Sequence, residues 1–500
     1  MHEVELKFQV SATERAAVDA AVAGRTPGPR VRLQAAYYDT AERSLAEAGL
    51  ALRMRREGRR WVQTLKGAGD DGLTRGEHNV PLLAGAGVVP AIDPSLHADT
   101  PIGKRLFDVL RNAPSPDLRC VFSTDIRRRS RVLRTPQGVV ELAFDEGAIL
   151  AGERRLPVCE LEIELVSGSP LAVIDTARRW VARHGLWLDT RSKAERGDLL
   201  TRGETVAPDR RARPVELAPD MSIAEAERCV LRSCLDQVSV NASQIASGEH
   251  TDEHVHQLRV GLRRLRTAFR LFDGAGADSA LADEATALFR SLAAARDQAA
   301  VAQPLAQVLT EALATIGMRS QAPTLAAAPP TADGPPPDAT LRSAAAQKLL
   351  LDLHARVQAQ DESASPADDD PVLRDVLARR LKRWRRLVLA DAQRFAELGD
   401  AGRHTLRKRA KRLRYAIEFA SALYKDKAVR RTLKPLRGLL DRLGELIDLT
   451  VALAAYREAA ATDPHALFAL GWLAARHDQR LAACEPALKA FCRSKPFWKE

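Results

Sequence analysis

In the first 200 or so residues of this chain, charged and apolar residues repeatedly alternate. Glu3, Glu5 and Lys7 alternate with Val4, Leu6 and Phe8. On an extended strand, residues two apart share a face, so two carboxylates and an ammonium point one way and an apolar stripe points the other. Neighbouring glutamates repel unless water or a cation separates them. The pattern returns downstream. Arg53 and Arg55 alternate with Leu52 and Met54, and Trp61 to Lys66 forms another strand candidate. Phe122, Thr124, Ile126 and Arg128 share a face, as do Glu141, Ala143 and Asp145, and Glu160, Glu162 and Glu164. Gly138 and the Glu146-Gly147 pair supply turns between these strands. Thr13 to Ala23 predicts a short helix with Ser11 or Thr13 as its cap.

One such strand is equally well an edge strand with a solvated charged face. Recurrence on several strands has a second solution, a closed antiparallel barrel that turns its charges inward and its apolar faces outward onto helices. Its interior would carry Glu3, Glu5, Glu141, Asp145, Glu160, Glu162 and Glu164 together with Lys7, Arg53, Arg55, Lys66 and Arg128. Clustered carboxylates without histidine or cysteine suit hard cations, Mg²⁺ or Mn²⁺. Clustered arginine and lysine suit phosphoryl oxygens, which a guanidinium grips through two parallel hydrogen bonds. The combination predicts a metal-bound polyphosphate site. By the same alternation Arg127, Arg129 and Arg131 face outward.

A length of 500 residues predicts two to four domains. The net charge of +11 points to polyanionic partners: nucleic acid, an anionic membrane surface or a polyphosphate. Six cysteines without CxxC spacing argue against a zinc site or a disulfide framework and fit a reducing compartment. Neither a signal-peptide core nor a run long enough to span a membrane is present, so a cytoplasmic protein without a membrane partner is expected.

Pro208, Pro214 and Pro219 mark residues 203–220 as a linker. Residues 221–495 have helical periodicity. His256, Arg259, Arg263 and Arg266 fall on one helix face, and His404, Arg407, Lys411 and Arg414 repeat the same offsets. Copies this far apart read as two tandem bundles rather than a solenoid. A leucine-rich helix with an aspartate, Asp297 or Asp448, follows each. The intervening residues 321–340, rich in proline and alanine, read as a disordered insertion, and Asp361 to Pro371 as an acidic loop. A basic stripe is most simply a solvated surface with acidic partners along the helix, but acidic residues are almost absent inside these two stretches. Nucleic acid is the natural rival ligand, yet the stripe has few interleaved aromatics and no nucleic-acid fold signature, which argues against it.

Glu3-Val4-Glu5-Leu6-Lys7 matches the ExExK signature of the CYTH superfamily, the triphosphate tunnel metalloenzymes. Tyr37-Tyr38-Asp39-Thr40, Leu52 to Arg55, Thr64-Leu65-Lys66, Phe122 to Arg128, Glu141 to Asp145, Glu160 to Glu164 and Ser192-Lys193-Ala194 follow in that superfamily's order. The histidine-led repeat resembles the CHAD domain, a helical domain that often follows CYTH. These resemblances imply an α+β fold: an antiparallel eight-stranded tunnel barrel over residues 1–202, then an all-α domain of two duplicated helical bundles over 221–495. They imply hydrolysis of inorganic triphosphate with Mg²⁺ or Mn²⁺, with Glu3, Glu5 and Lys7 in the chemistry. Phosphate binding falls to Lys7, Arg53, Arg55, Lys66, Arg128 and Lys193. Metal binding falls to Glu3, Glu5, Asp145, Glu160, Glu162 and Glu164. The two histidine-led stripes are implied to bind inorganic polyphosphate. Two alternatives stay open: a non-catalytic polyphosphate tether, and a tunnel enzyme for nucleoside or thiamine triphosphates.

Overall fold

The structure, a computed structural model, describes residues 2–25, 28–58, 60–68, 74–83, 89–272, 279–292, 299–317, 335–359, 372–461, 463 and 466–499. Nine strands occur among them: β1 (His2–Gln9), β2 (Val31–Asp39), β3 (Leu50–Glu57), β4 (Arg60–Ala68), β5 (Thr74–Leu82), β6 (Arg119–Thr135), β7 (Gly138–Ala151), β8 (Arg154–Gly168) and β9 (Trp187–Leu188). They form one antiparallel sheet in the order β5-β4-β3-β2-β6-β7-β8-β1-β9. β1 also pairs with β5, Val4 lying opposite Thr74. Helices α1 (Arg15–Ala23), α2 (Ser44–Glu47), α3 (Pro101–Asn112), α4 (Leu171–His184) and α5 (Lys193–Arg202) interrupt the strands.

Alternation has the consequence the sequence predicts for the apolar side. Leu6, Phe8, Leu52, Met54, Leu65, Leu142, Phe144, Leu161 and Ile163 are buried, each removal from water stabilising by about 1.5–3 kcal/mol. α3 covers β3 and β4 through Ile102 and Leu106, and α4 packs on β8, β1 and β7. The opposite face carries the charges, and α5 packs against it over β6, β7 and β8, with Ala194 and Leu200 beside Tyr37, Phe122, Ile126 and Ile149.

Three local expectations need correction. Glu146 and Gly147 lie inside β7 and make no turn. A Cβ at Gly147 would overlap the Asp125 carbonyl of β6, so this glycine allows close backbone approach. The β6–β7 turn itself is formed by Pro136 and Gln137, and Gly138, with φ 157°, opens β7 directly after it. α1 starts after Glu14, which caps it without a side-chain bond, while Ser11 accepts the Glu14 amide one turn earlier. Residues 321–334 of the expected insertion lie outside the described residues, but Pro337 opens a helix that runs to Arg342, a favoured use of proline at a first helical position. The acidic loop from Asp361 to Pro371 lies outside the described residues.

The rest is mostly helical: α6 (Ile223–Ala246), α7 (Asp252–Leu271), α8 (Ser279–Ser291), α9 (Ala299–Thr315), α10 (Pro337–Arg342), α11 (Ala344–Gln358), α12 (Leu373–Gln393), α13 (Asp400–Ala420), α14 (Asp426–Ala459) and α15 (Ala466–Arg493). Among the described residues no helix is long and apolar enough to cross a membrane. The chain forms two compact units that do not follow sequence order. The first comprises Met1–Arg211, Leu235–Arg259 and Pro337–Gln360; the second comprises Ala212–Cys234, Val260–Pro336 and Asp361–Glu500.

Candidate functional site

Strand register builds the charged face in rows. Glu5 lies opposite Glu164, Lys7 opposite Glu162, and Gln9 opposite Glu160. β7 extends the rows, with Glu141 opposite Glu164 and Asp145 opposite Glu160, and β6 places Arg128 opposite Asp145. On the other side of β6, Tyr37 pairs with Arg53, Ala35 with Arg55, and Lys66 with Glu77. Glu3 pairs through its backbone with Arg75. Alternation along β6 sends Arg129 the other way, onto Asp19 of α1 at 2.7 Å.

α5 brings two cations to one end of this face. Ser192 caps the helix and forms a capping box with Glu195, so Lys193 and Arg196 extend from its first turn. Lys193 Nζ lies 2.6 Å from Asp145 and 2.8 Å from Glu162, and also contacts Glu160. Arg128 holds Asp145 with two bonds of 2.6 and 2.7 Å and donates to Glu162, while Arg196 donates to Glu160. Burial alone would raise the Glu162 carboxyl, but Lys193, Arg128 and Lys7 outweigh it and hold the group well below its usual range. Glu160 is lowered against the same burial by Arg196, Lys193 and Lys7. Burial opposes the Lys193 charge as well, and the three carboxylates overcome it and raise its pKa. One oxygen from each of Asp145, Glu160 and Glu162 lies within 4.8 Å of the others, a spacing a divalent cation can bridge.

The other end is differently balanced. Burial, followed by the charges of Glu5, Glu77 and Glu141 and opposed by Lys66, raises Glu164 to about 7. A carboxyl raised by neighbouring carboxylates is one whose ionised form an added hard cation would favour. Across the face, Arg53 donates to the Tyr37 hydroxyl at 3.2 Å, Lys66 lies 3.2 Å from Glu77, and Arg55 pairs with Glu57. The Nε atoms of Arg53 and Arg55 are buried without a hydrogen-bond partner. Burial lowers the pKa of Arg55 and the adjacent Arg53 lowers it further, whereas Tyr37 and Glu77 outweigh burial at Arg53 and raise it. Buried guanidinium donors left unpaired are costly, and an anion would satisfy them.

Sequence reasoning missed several residues that this arrangement uses. Tyr37 orients Arg53, and Arg196 anchors Glu160. Asp189 is buried, accepts from Gln9 at 3.0 Å and is held by two Arg191 bonds of 2.9 Å. The Ser192-Lys193-Ala194-Glu195 capping box was visible in the sequence and would have placed Lys193 and Arg196 one turn apart on one helix.

In the helical part, the first basic stripe lies along α7 and the second along α13. His256 and Arg259 belong to the first compact unit, and Arg263 and Arg266 to the second. Within the second unit, Lys411 is lowered to about 7 by burial and then by Arg263, Arg407 and Arg414, with Asp448 opposing. Arg407 is lowered by burial and Arg263, again against Asp448. The Nε atoms of Arg263, Arg407 and Arg414 are buried without hydrogen-bond partners, although Arg414 lies 3.9 Å from Glu418. Arg263 and Arg266 lie over the Phe289 ring, at 5.7 and 5.5 Å from its centre. His404 is exposed and lines a cleft with Asp400, Arg403 and Ile447. Asp297, the expected counterpart of Asp448, lies outside the described residues.

Residues 1–197 match the CYTH domain family and residues 229–457 match the CHAD domain family. An inorganic triphosphatase of Haemophilus influenzae is 33% identical over 169 residues, a match spanning 33% of this chain and 44% of that protein. The crystal structure of the CHAD domain from the plant Ricinus communis is 31% identical, covering 58% of this chain and 99% of that one with a TM-score of 0.46. PptA from Streptomyces chartreusis is 20% identical, covering 56% of this chain and all of that one (100%) with a TM-score of 0.40. The chain thus carries a CYTH domain at residues 1–197 and a CHAD domain at residues 229–457.

Proposed function

We propose that this protein hydrolyses inorganic triphosphate to diphosphate and phosphate with a divalent metal, in a tunnel enclosed by β1 to β8, and that its helical part binds inorganic polyphosphate. One observation carries the reading. Arg53 and Arg55, partly buried and each with an Nε donor buried and unsatisfied, share a sheet face with Glu164, whose carboxyl is raised by burial and by the charges of Glu5, Glu77 and Glu141. Such a face is complementary to an anion and a cation together. The pairing of β1 with both β8 and β5 supports closure of the eight strands into a ring. The Haemophilus influenzae relative supports the choice of substrate.

In this mechanism Arg53, Arg55, Lys66 and Arg128 grip the phosphoryl oxygens and align the chain for in-line displacement. Tyr37 fixes Arg53 in that task. Glu3, Glu5, Asp145, Glu160, Glu162 and Glu164 would hold Mg²⁺ or Mn²⁺. When bound, such an ion supplies Lewis-acid neutralisation of phosphoryl charge. Glu5 and Lys7 take part in the chemical step from β1, the carboxylate steering the proton of the attacking water and the ammonium offsetting charge on the leaving diphosphate. Lys193 and Arg196 favour the ionised forms of Glu160 and Glu162, and Lys193 offers a further phosphate donor.

A binding-only role has one observation in its favour: Lys193, Arg128 and Arg196 already neutralise Asp145, Glu160 and Glu162. The discriminating experiment supplies the full chain with tripolyphosphate, ATP, thiamine triphosphate and long polyphosphate, each with Mg²⁺ or Mn²⁺, and measures phosphate release. The expected result is the highest kcat/KM on tripolyphosphate. Binding of polyphosphate with no release under either metal would establish the tether instead.

A further inference from the structure

The segment between β9 and α5 is held on two sides. Toward the sheet, the Asp189 amide donates to the Lys7 carbonyl at 2.9 Å, and the Asp189 carboxylate receives Gln9 of β1. On its other side stand helices that belong, by sequence, to the CHAD match. Gln347 of α11 accepts the Leu188 amide at 2.8 Å and donates to the Leu341 carbonyl at 2.7 Å. Ser243 of α6 accepts the Thr190 amide at 3.0 Å and donates to the Ser239 carbonyl at 2.8 Å. Gln244 accepts from Arg191 at 3.3 Å. Gln347 and Ser243 are almost wholly buried, at 1% and 2% exposure, so no water replaces them readily. All of these residues lie in the first compact unit.

Lys193 follows this segment directly. Its ammonium meets Asp145, Glu160 and Glu162 only if the Ser192 cap enters the helix at the present position. Two side chains that fix the Leu188 and Thr190 amides therefore fix the entry to α5. We infer that Gln347 and Ser243 are positioning residues for Lys193, so that its place on the charged face is set by helices outside the CYTH match. The inference rests on the triphosphatase reading for its kinetic readout, but the contacts themselves do not depend on that reading.

The test is a double-mutant cycle in the full chain: Gln347→Ala, Lys193→Ala, and the two combined, with Ser243→Ala as an independent, smaller change. Tripolyphosphate turnover is measured with Mg²⁺, and circular dichroism confirms the fold of each variant. Displacing a positioned group by a fraction of an ångström costs on the order of ten- to a hundredfold in kcat/KM, so Gln347→Ala should lose about that much. In the Lys193→Ala background its further effect should nearly vanish, since the residue it positions is gone. Equal losses in both backgrounds would mean that Gln347 only stabilises the fold, and would overturn the inference. Unchanged kinetics in Gln347→Ala and Ser243→Ala would overturn it as well. If the parent chain releases no phosphate, the triphosphatase reading fails by itself. Calorimetric tripolyphosphate affinity across the same variants then decides the inference by the same comparison. If Gln347→Ala does not fold, the cycle is read from Ser243→Ala.

Discussion

In the proposed reading, Arg53 and Arg55 are the donors of the charged face that an anion would satisfy. The Nε of each is buried and unpaired, and Arg55 is further penalised by Arg53 beside it. Arg55→Ala should therefore raise the KM for tripolyphosphate by about 10- to 100-fold, the usual loss for a hydrogen bond to a charged group, while leaving metal dependence unchanged. Glu5→Gln should do the reverse, raising the metal concentration needed for half-maximal rate and recovering partly at high metal; a metal titration of both variants reads the difference. Lys411 supplies the pH test in the helical part. With its pKa lowered to about 7 by burial and by Arg263, Arg407 and Arg414, it is charged at pH 6 and largely neutral at pH 8. Affinity for long polyphosphate, whose internal phosphates stay ionised, should fall as pH rises across that window, and Lys411→Met should flatten the profile. For the free protein the sign is opposite. A lysine with a depressed folded-state pKa contributes stability above its unfolded value, and loses it as pH falls through about 7. Calorimetry at both pH values checks the binding, and thermal melts check the stability.

At the scale of elements, strict alternation made the strands legible, because a period of two has one structural meaning when each strand has one buried face. Register then brought Glu5, Glu141 and Glu164 into one row and Asp145, Glu160 and Arg128 into another. What alternation does not encode is how a helix meets the sheet. Arg196, Tyr37 and Asp189 take their roles from tertiary placement, and Gly147 looked like a turn because its true constraint, the Asp125 carbonyl, is remote in sequence. Gly197 has the same character: a Cβ there would overlap the Phe122 ring. Gly197→Ala should destabilise the fold by about 1–3 kcal/mol through overpacking. It should also lower turnover, because α5 carries Lys193 and Arg196. A melt with normal kinetics at low temperature would separate the two effects and detach α5 from the site.

Across the whole molecule, the units interleave along the chain, with Leu235–Arg259 and Pro337–Gln360 grouped with the N-terminal residues. A cut near residue 220 would strip Gln347 and Ser243 from the Leu188 and Thr190 amides, and both amides should exchange hydrogen faster in such a fragment than in the full chain. The net charge of +11 and the cluster around Lys411 predict polyphosphate binding that weakens steeply with salt, by counterion release as for nucleic acid. The central claim is the chemistry of the charged face. It is tested most directly by steady-state phosphate release from tripolyphosphate by the full chain, with Mg²⁺ or Mn²⁺ and after chelation. The account predicts turnover that vanishes on chelation, returns when metal is restored, and demands more metal in Glu5→Gln. Release that persists without metal, or no release with either metal present, would contradict it.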